Sequence, residues 1–416
     1  MVMRPKLLAS TALAGMAALA PVWGAEPLKL SLGGYAVGGL TLRQEDNVAA
    51  PTTAPVNRGA GDDRVFAITT DIGRSDVFWE SEVFFQGEMK TDSGLTVGVN
   101  IQLEAYTSND QVDEHYVYLQ GGFGKLIVGA ENSAPYLLHF GVPSPTDTIF
   151  NVDDRRYLFP FRTPGSNKVA TPSTFSQLTN DADKITYFTP RFAPGFQFGL
   201  SYTPDDDAFA GFQSVGVGGG TGCKGGCAYN AGNNVSDNDQ ANHHHFLEAG
   251  MNFVRSLNGV SLGFDLGLGY GFLEKQSRSA AGLDRLGKDR VVATTGISVG
   301  YAGFTGGLGF AWDNLGLQGP NSRYDLAAGL TYATGPWLVG ADVAYVVAKD
   351  GQALQSGRLV RRSNDTLVYA EIGGSYLLGR GVKVFSVVNV ARWDGNDTAS
   401  EEATGVAWST GLALNF

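Results

Sequence analysis

The stretch VAWSTGLALNF, residues 406–416, places Val406, Trp408, Leu412, Leu414 and Phe416 on one parity. Ala407, Ser409, Gly411, Ala413 and Asn415 fall on the other. Side chains of an extended strand point alternately to opposite faces, so this segment is a strand with one large apolar face and one small or polar face. Two environments reward that division. A soluble sandwich buries the apolar face against a second sheet, whereas a membrane barrel turns it to lipid and gives the other face to water. The rest of the chain has to choose.

The same alternation recurs along the sequence. GLTVGVNIQLEAYT (94–107) sets Leu95, Val97, Val99, Ile101 and Leu103 against Thr96, Asn100, Gln102 and Glu104. VSLGFDLGLGYGF (260–272) sets seven apolar residues against Ser261, Asp265 and four glycines. Period two over such lengths reads as strand. About sixteen strands follow, over 28–42, 75–90, 94–107, 113–121, 124–131, 183–190, 196–204, 244–256, 259–274, 289–301, 303–312, 323–334, 336–348, 365–378, 381–393 and 403–416. Residues 64–72 are assigned to a loop.

The connections alternate between short and long. TDS (91–93), GGF (121–123), SLNG (256–259), TGP (334–336) and GRG (379–381) are tight, while 43–74, 132–182, 205–243, 275–288, 313–322, 349–364 and 394–402 are extended. A transmembrane barrel sorts its loops in this way, and a sandwich has no reason to. Strands of this length cross the hydrocarbon when tilted, and only closed barrels or helices satisfy every backbone group there. Trp337 beside a tight turn, with Trp312 and Trp393 before long loops, suits two interfacial girdles. The fold class expected is all-β: a transmembrane, up-and-down antiparallel β-barrel of about sixteen strands.

Composition agrees. Gly is 57 of 416 residues, too many for a helical chain and without a collagen period. With 41 acids against 30 bases and no basic patch, nucleic acid is not an expected partner. Arg4 and Lys6, then apolar LLASTALAGMAALA (7–20) and small residues near Gly24 and Ala25, have the plan of a secretory signal. Residues 1–24 are expected to be removed, leaving 25–416 as the barrel. Outside the cytoplasm, Cys223 and Cys227 of CKGGC are expected to form a disulfide.

A barrel of this size is wide enough for an aqueous channel. The aromatic-rich segment 132–182 is too long to be an idle connection, so it is the candidate constriction. Its TDTIFNVDDRR carries Asp147, Asp153 and Asp154 beside Arg155 and Arg156, charges that select ions if they line a neck. Inward parity adds Arg43, Arg74, Glu80, Glu82, Lys90, Glu104, Lys125 and Asp265 as pore-wall residues. Lys29 and Lys184 share that parity, as do Glu88, Glu114, Glu131, Glu248, Asp325, Asp342 and Glu371, so acids outnumber bases on the wall, which implies a weak cation preference. HHH (243–245) with DND (237–239) reads as a polar loop entering a strand, and PDDDAF (204–209) as a solvated loop with outer-rim calcium as the alternative. No metal centre or cofactor is expected otherwise. No HExxH or P-loop pattern occurs, and the chain does not read as an enzyme.

SEVFFQGEMKTDSGLTVGVNIQLEA (81–105) and DEHYVYLQGGFGKLIVGAENSAPYLLHFG (113–141) resemble the general diffusion porins of Gram-negative bacteria, particularly the alphaproteobacterial branch. AEPLKLSLGGY (25–35) and Phe416 agree with that resemblance. It implies sixteen strands, a homotrimer in the outer membrane reached through the periplasm, and a third outer loop forming an eyelet. Acidic loop residues then face basic wall residues, with Asp147, Asp153 and Asp154 matching the former and Arg43, Arg74 and Lys125 the latter. No dense arginine ladder accompanies them, and CKGGC matches no part of the pattern. The expected function is passive diffusion of ions and small hydrophilic solutes. The alternatives are a channel selective for anions or sugars, and a structural or adhesive barrel with a plugged lumen.

Overall fold

A computed structural model of the chain describes residues 27–49, 69–105, 112–153, 161, 169, 171–205, 241–276, 288–316, 321–349, 353–355, 358–360, 364–395 and 402–416. The expected leader, Cys223 and Cys227, and Asp154, Arg155 and Arg156 lie outside the described residues.

The strands are β1 (Lys29–Ala49), β2 (Thr69–Lys90), β3 (Thr96–Glu104), β4 (His115–Gly121), β5 (Gly124–Ala130), β6 (Asp183–Phe188), β7 (Phe196–Asp205), β8 (Ala241–Leu257) and β9 (Val260–Gln276). They continue as β10 (Arg290–Tyr301), β11 (Phe304–Asp313), β12 (Ser322–Thr334), β13 (Trp337–Lys349), β14 (Ala353–Gln355), β15 (Arg358–Val360), β16 (Asp365–Gly379), β17 (Val382–Gly395) and β18 (Ala403–Asn415). All but β14 and β15 form one closed antiparallel barrel in which each strand pairs with its chain neighbours and β1 pairs with β18. At that seam Leu42 faces Trp408 and Ala36 faces Leu414, and Gly34 and Phe416 exchange backbone hydrogen bonds of 3.1 Å.

Every expected strand is present near its expected place. Two local readings need correction. Residues 69–72 are not loop but the start of β2, where Thr69, Thr70 and Ile72 pair with β1. The connection between β13 and β16 contains the β14–β15 hairpin, which is not part of the barrel.

The two faces of the wall meet different surroundings. Outward residues such as Leu30 and Val77 are 78% and 79% exposed, whereas inward Glu80 and Glu248 are each 1% exposed. An apolar surface of this extent is stable against hydrocarbon, and the closed ladder leaves no edge for lipid to meet. At the tight-turn rim, aromatic pairs Phe304–Tyr332 and Trp337–Tyr376 stand with ring centroids 4.5 and 4.6 Å apart, as an interfacial girdle requires. Trp393 does not belong to such a girdle. Its parity is inward, it is buried beside Phe161 and Tyr369, and its Nε1 donates to Val169 O at 2.9 Å.

Candidate functional site: the loop inside the barrel

After β5 the chain enters the barrel. Helix α1 (Ala134–Leu137) opens the inward segment, and the loop then passes along the inner wall from β7 toward β17. What makes room for it is glycine on the inward parity of successive strands. A Cβ on Gly250 of β8 would come within 2.8 Å of Pro135 Cα, and one on Gly296 of β10 within 2.9 Å of the Phe140 carbonyl carbon. On β11, β12 and β13, Cβ atoms on Gly307, Gly329 and Gly340 would come within 3.0–3.1 Å of Val142 or Pro145 atoms. Contacts this close leave no space for a side chain, so the glycines form a bed against which the loop lies.

Wall carboxylates then tie the loop down. Glu248 of β8 accepts hydrogen bonds from Ser133 Oγ at 2.8 Å and Ser176 Oγ at 3.0 Å, and from Thr179 Oγ1. It therefore clasps the departing and the returning arm together. Asp265 of β9 accepts from Phe140 N at 2.7 Å and lies 3.0 Å from His139 Nδ1. Asp325 of β12 accepts from Ser173 N at 3.0 Å, and Asp342 of β13 from Val152 N at 3.1 Å. Hydrogen bonds to ionised acceptors contribute about 1.5–3 kcal/mol each.

At its far reach the loop meets β17, where Lys383 Nζ donates to Asp147 O at 3.0 Å and pairs with the Asp147 carboxylate. Asp147 sits in the left-handed region at φ 49°, turning the chain back. Phe150 then fills a buried cluster with Val37, Phe385, Val387 and Ala413, and packs edge-on to Phe78 at 5.6 Å. Phe161 and Val169 complete a second cluster with Leu367, Tyr369 and Trp393.

The site residues read from sequence divide among these surroundings. Asp147 is exposed at the loop's far reach. Asp153 is buried, contrary to its expected place as a bare charge at a neck; it accepts from Thr174 N at 2.6 Å, Thr174 Oγ1 at 2.5 Å and Val142 N at 3.2 Å. Burial pushes its carboxyl above the usual carboxylate range, opposed by the nearby His139 ring and those hydrogen bonds. Asp265 is likewise buried beneath the loop, not bared to the channel. Both carboxylates are structural anchors because each has backbone N–H groups to satisfy.

On the wall of β1–β5, Arg43 approaches Glu45 at 3.9 Å and lies opposite Arg74 in the ladder. Glu80, Glu82 and Glu104 are buried on β2 and β3, with carboxylate oxygens of Glu82, Glu104 and Asp113 within 4.8 Å of one another. Lys90 is exposed at the end of β2. The Lys125 ammonium lies 4.5 Å from the Tyr118 ring centroid, and Tyr118 donates to Glu88 at 2.7 Å. The histidines of HHH do not converge: His243 bonds Lys288 O at 2.8 Å, while His245 bonds Tyr202 at 2.8 Å.

The glycine bed, the clasp that Glu248 makes with the loop, and His139 were not foreseen. The available signal was the concentration of glycine on the inward parity of β7–β13, which sequence reading took as a generally small lumen face.

A closed barrel with a lipid-facing exterior and a long loop laid along its inner wall defines a membrane channel of the diffusion type. A family model described as Gram-negative porin matches residues 8–398, and the chain belongs to that family. It is an outer-membrane protein forming a channel for passive diffusion. OmpT, an outer membrane protein of Vibrio cholerae, is 10% identical with a TM-score of 0.52, covering 95% of this chain and all of that one. A Salmonella typhi OmpF in complex with daunomycin is 14% identical with a TM-score of 0.52, covering 93% of this chain and 98% of that one. At such identities the likeness is one of fold. No curated protein sequence matches the chain.

Proposed function

We propose that the narrowest part of the channel lies between the loop 132–182 and the wall of β1–β5, and that it passes ions and small hydrophilic solutes with a weak preference for cations. The observation that carries this reading is the loop's seat: apart from its root, where Ala134 and Leu138 pack beside Tyr116 and Tyr118 of β4, its hydrogen bonds and glycine contacts to the wall run over β7 to β13, and its far reach packs against β16–β18 and against Val37 and Phe78. Among its described side chains the facing wall holds more acids than bases, with Glu80, Glu82, Glu104, Glu114 and Glu131 against Arg43 and Lys125. Clustered carboxylates raise the local cation concentration even when they are not in direct contact with the permeating ion. The test is the reversal potential across a planar bilayer under a KCl gradient. A potential of the anion-selective sign sinks the cation preference.

The proposal includes a homotrimer, a leader ending near residue 24, a Cys223–Cys227 disulfide and no cofactor. The trimer rests on the resemblance alone. The small outward residues of β1 give it little independent support, because Gly34 and Gly38 seat the chain's own Phe416 and Trp79 rings. Detergent-resistant oligomers on unheated gels, collapsing to monomer on boiling, would support it.

A further inference from the structure

His139 sits at the crossing of the loop's two arms with its ring fully buried, edge-on to Phe175 at 4.6 Å. Its Nδ1 is 3.0 Å from Asp265 Oδ1 and its Nε2 is 3.0 Å from Thr174 Oγ1, which in turn donates to Asp153 Oδ2 at 2.5 Å. Proton counting along this line is restrictive. A hydroxyl has one proton to give. Once Thr174 gives it to Asp153, His139 Nε2 has to be a donor, and Nδ1 has to be one too because Asp265 accepts. The ring is then an imidazolium between two carboxylates. The mirror arrangement places the extra proton on Asp153, which donates to Thr174, which donates to a neutral ring. Both arrangements hold the same number of protons.

We infer that Asp265, His139, Thr174 and Asp153 form a proton-holding relay that locks the loop's outgoing and returning arms to β9, with His139 as the positioning residue of the channel. The inference rests on the reading of this loop as the constriction. If the proton leaves, Nε2 and the Asp153 carboxylate compete for the single Thr174 hydrogen, and one of the two contacts opens. The upward push that burial gives the Asp153 carboxyl favours keeping the proton. The charged groups on the elements packed around the relay are Asp265 on β9, the Arg323–Asp325 pair on β12, which binds Ser173 N, and Glu248 on β8, which binds Ser176. Three of these four groups are acids, which also favours retention of a proton.

The experiment records single-channel current from neutral to alkaline pH for the full mature chain, Asp153→Asn and Thr174→Val, each checked for folding by its unheated mobility. The amide that Asp153→Asn introduces donates permanently to Thr174 Oγ1 and completes the line around a neutral ring without a titrating proton, at the loss of the 3.2 Å acceptor for Val142 N. The wild type is expected to show a rise in subconductance transitions of up to about tenfold per pH unit, the limit for loss of one proton. Asp153→Asn should stay within about twofold, the margin below one such unit. Thr174→Val should be noisy already at neutral pH. A wild type insensitive to pH, an Asp153→Asn channel that follows the wild type, or a quiet Thr174→Val channel each overturns the relay. Gly340→Ala, whose Cβ would press on Pro145 Cα at 3.1 Å and on no residue of the relay, separates this from failure of the constriction reading. If it leaves the current unchanged at every pH, the loop does not limit the pore; if it alters the current while the relay variants do not, only the relay fails.

Discussion

Replacing Gly296 by Ala adds one methyl group where the structure has none to spare. The new Cβ would stand 2.9 Å from the Phe140 carbonyl carbon, closer still to its oxygen, and 2.6 Å from Asp265 Oδ2. Carbon contacts settle at about 3.5–4.0 Å, so the loop has to lift by about 1 Å at Phe140. That takes the 2.7 Å bond from Phe140 N to Asp265 out of hydrogen-bonding range. Losing a bond to a buried carboxylate costs about 1.5–3 kcal/mol, and overpacking adds about 1–3 kcal/mol. A net penalty of about 3 kcal/mol shifts the balance between seated and lifted loop by about a hundredfold. The barrel ladder is not involved, so the variant should still fold and insert. Planar-bilayer recording should then show frequent partial closures that are rare in the wild type. Gly306→Ala is the control: it lies on the lipid face of β11 and its Cβ would meet nothing nearer than Leu330 Cδ1 at 3.7 Å. Identical traces from Gly296→Ala and wild type would refute the argument that these glycines are a bed for the loop.

Three further outcomes are expected. Glu82→Gln combined with Glu104→Gln should lower the cation-to-anion permeability ratio measured from reversal potentials; an unchanged ratio removes the β2–β3 carboxylates from ion selection. Lys383→Met should cost no more than about 1 kcal/mol, because its partner Asp147 is 65% exposed and well solvated; a thermal shift in detergent larger than a few degrees contradicts that. Glu248→Ala removes the acceptor shared by Ser133, Ser176 and Thr179 and leaves three buried hydroxyls to find new partners, at about 1–3 kcal/mol apiece when unsatisfied. Limited proteolysis of the folded barrel should then cut within 132–182, and a loop as resistant as the wild type's would count against the clasp.

Strand identity was legible because the signal is local and physical. A side chain such as Val77 or Leu30 betrays lipid, its neighbour betrays the lumen, and the tight turns mark where the parity restarts. The start of β2 was misread because RVFAITTDI lacks the strict alternation, although pairing with an already extended β1 carries the ladder through it. Trp393 was misread for a different reason. Residue type suggested the membrane interface, but its parity was inward, and parity is the stronger constraint because a one-residue slip would move every side chain of β17 to the wrong face.

Site residues were legible only as far as the wall. Parity says correctly that Asp265, Asp325, Asp342 and Glu248 point inward, but it does not say what awaits them there. Each ends beneath the loop, accepting hydrogen bonds from it, so a count of inward acids overstates the charge presented to permeating ions. The acids left on β2 and β3 stand where the described loop contacts do not run, apart from Phe150 against Phe78. The two halves of the wall therefore do different work. On β8 to β13, inward glycines receive the loop's backbone and inward carboxylates satisfy its N–H groups; on β2 and β3, crowded carboxylates are the groups proposed to act on ions. Moving a single large side chain onto the first half should disturb the shape of the channel, and moving a charge onto the second should disturb its selectivity. The two effects are separable by measuring conductance and reversal potential on the same variants.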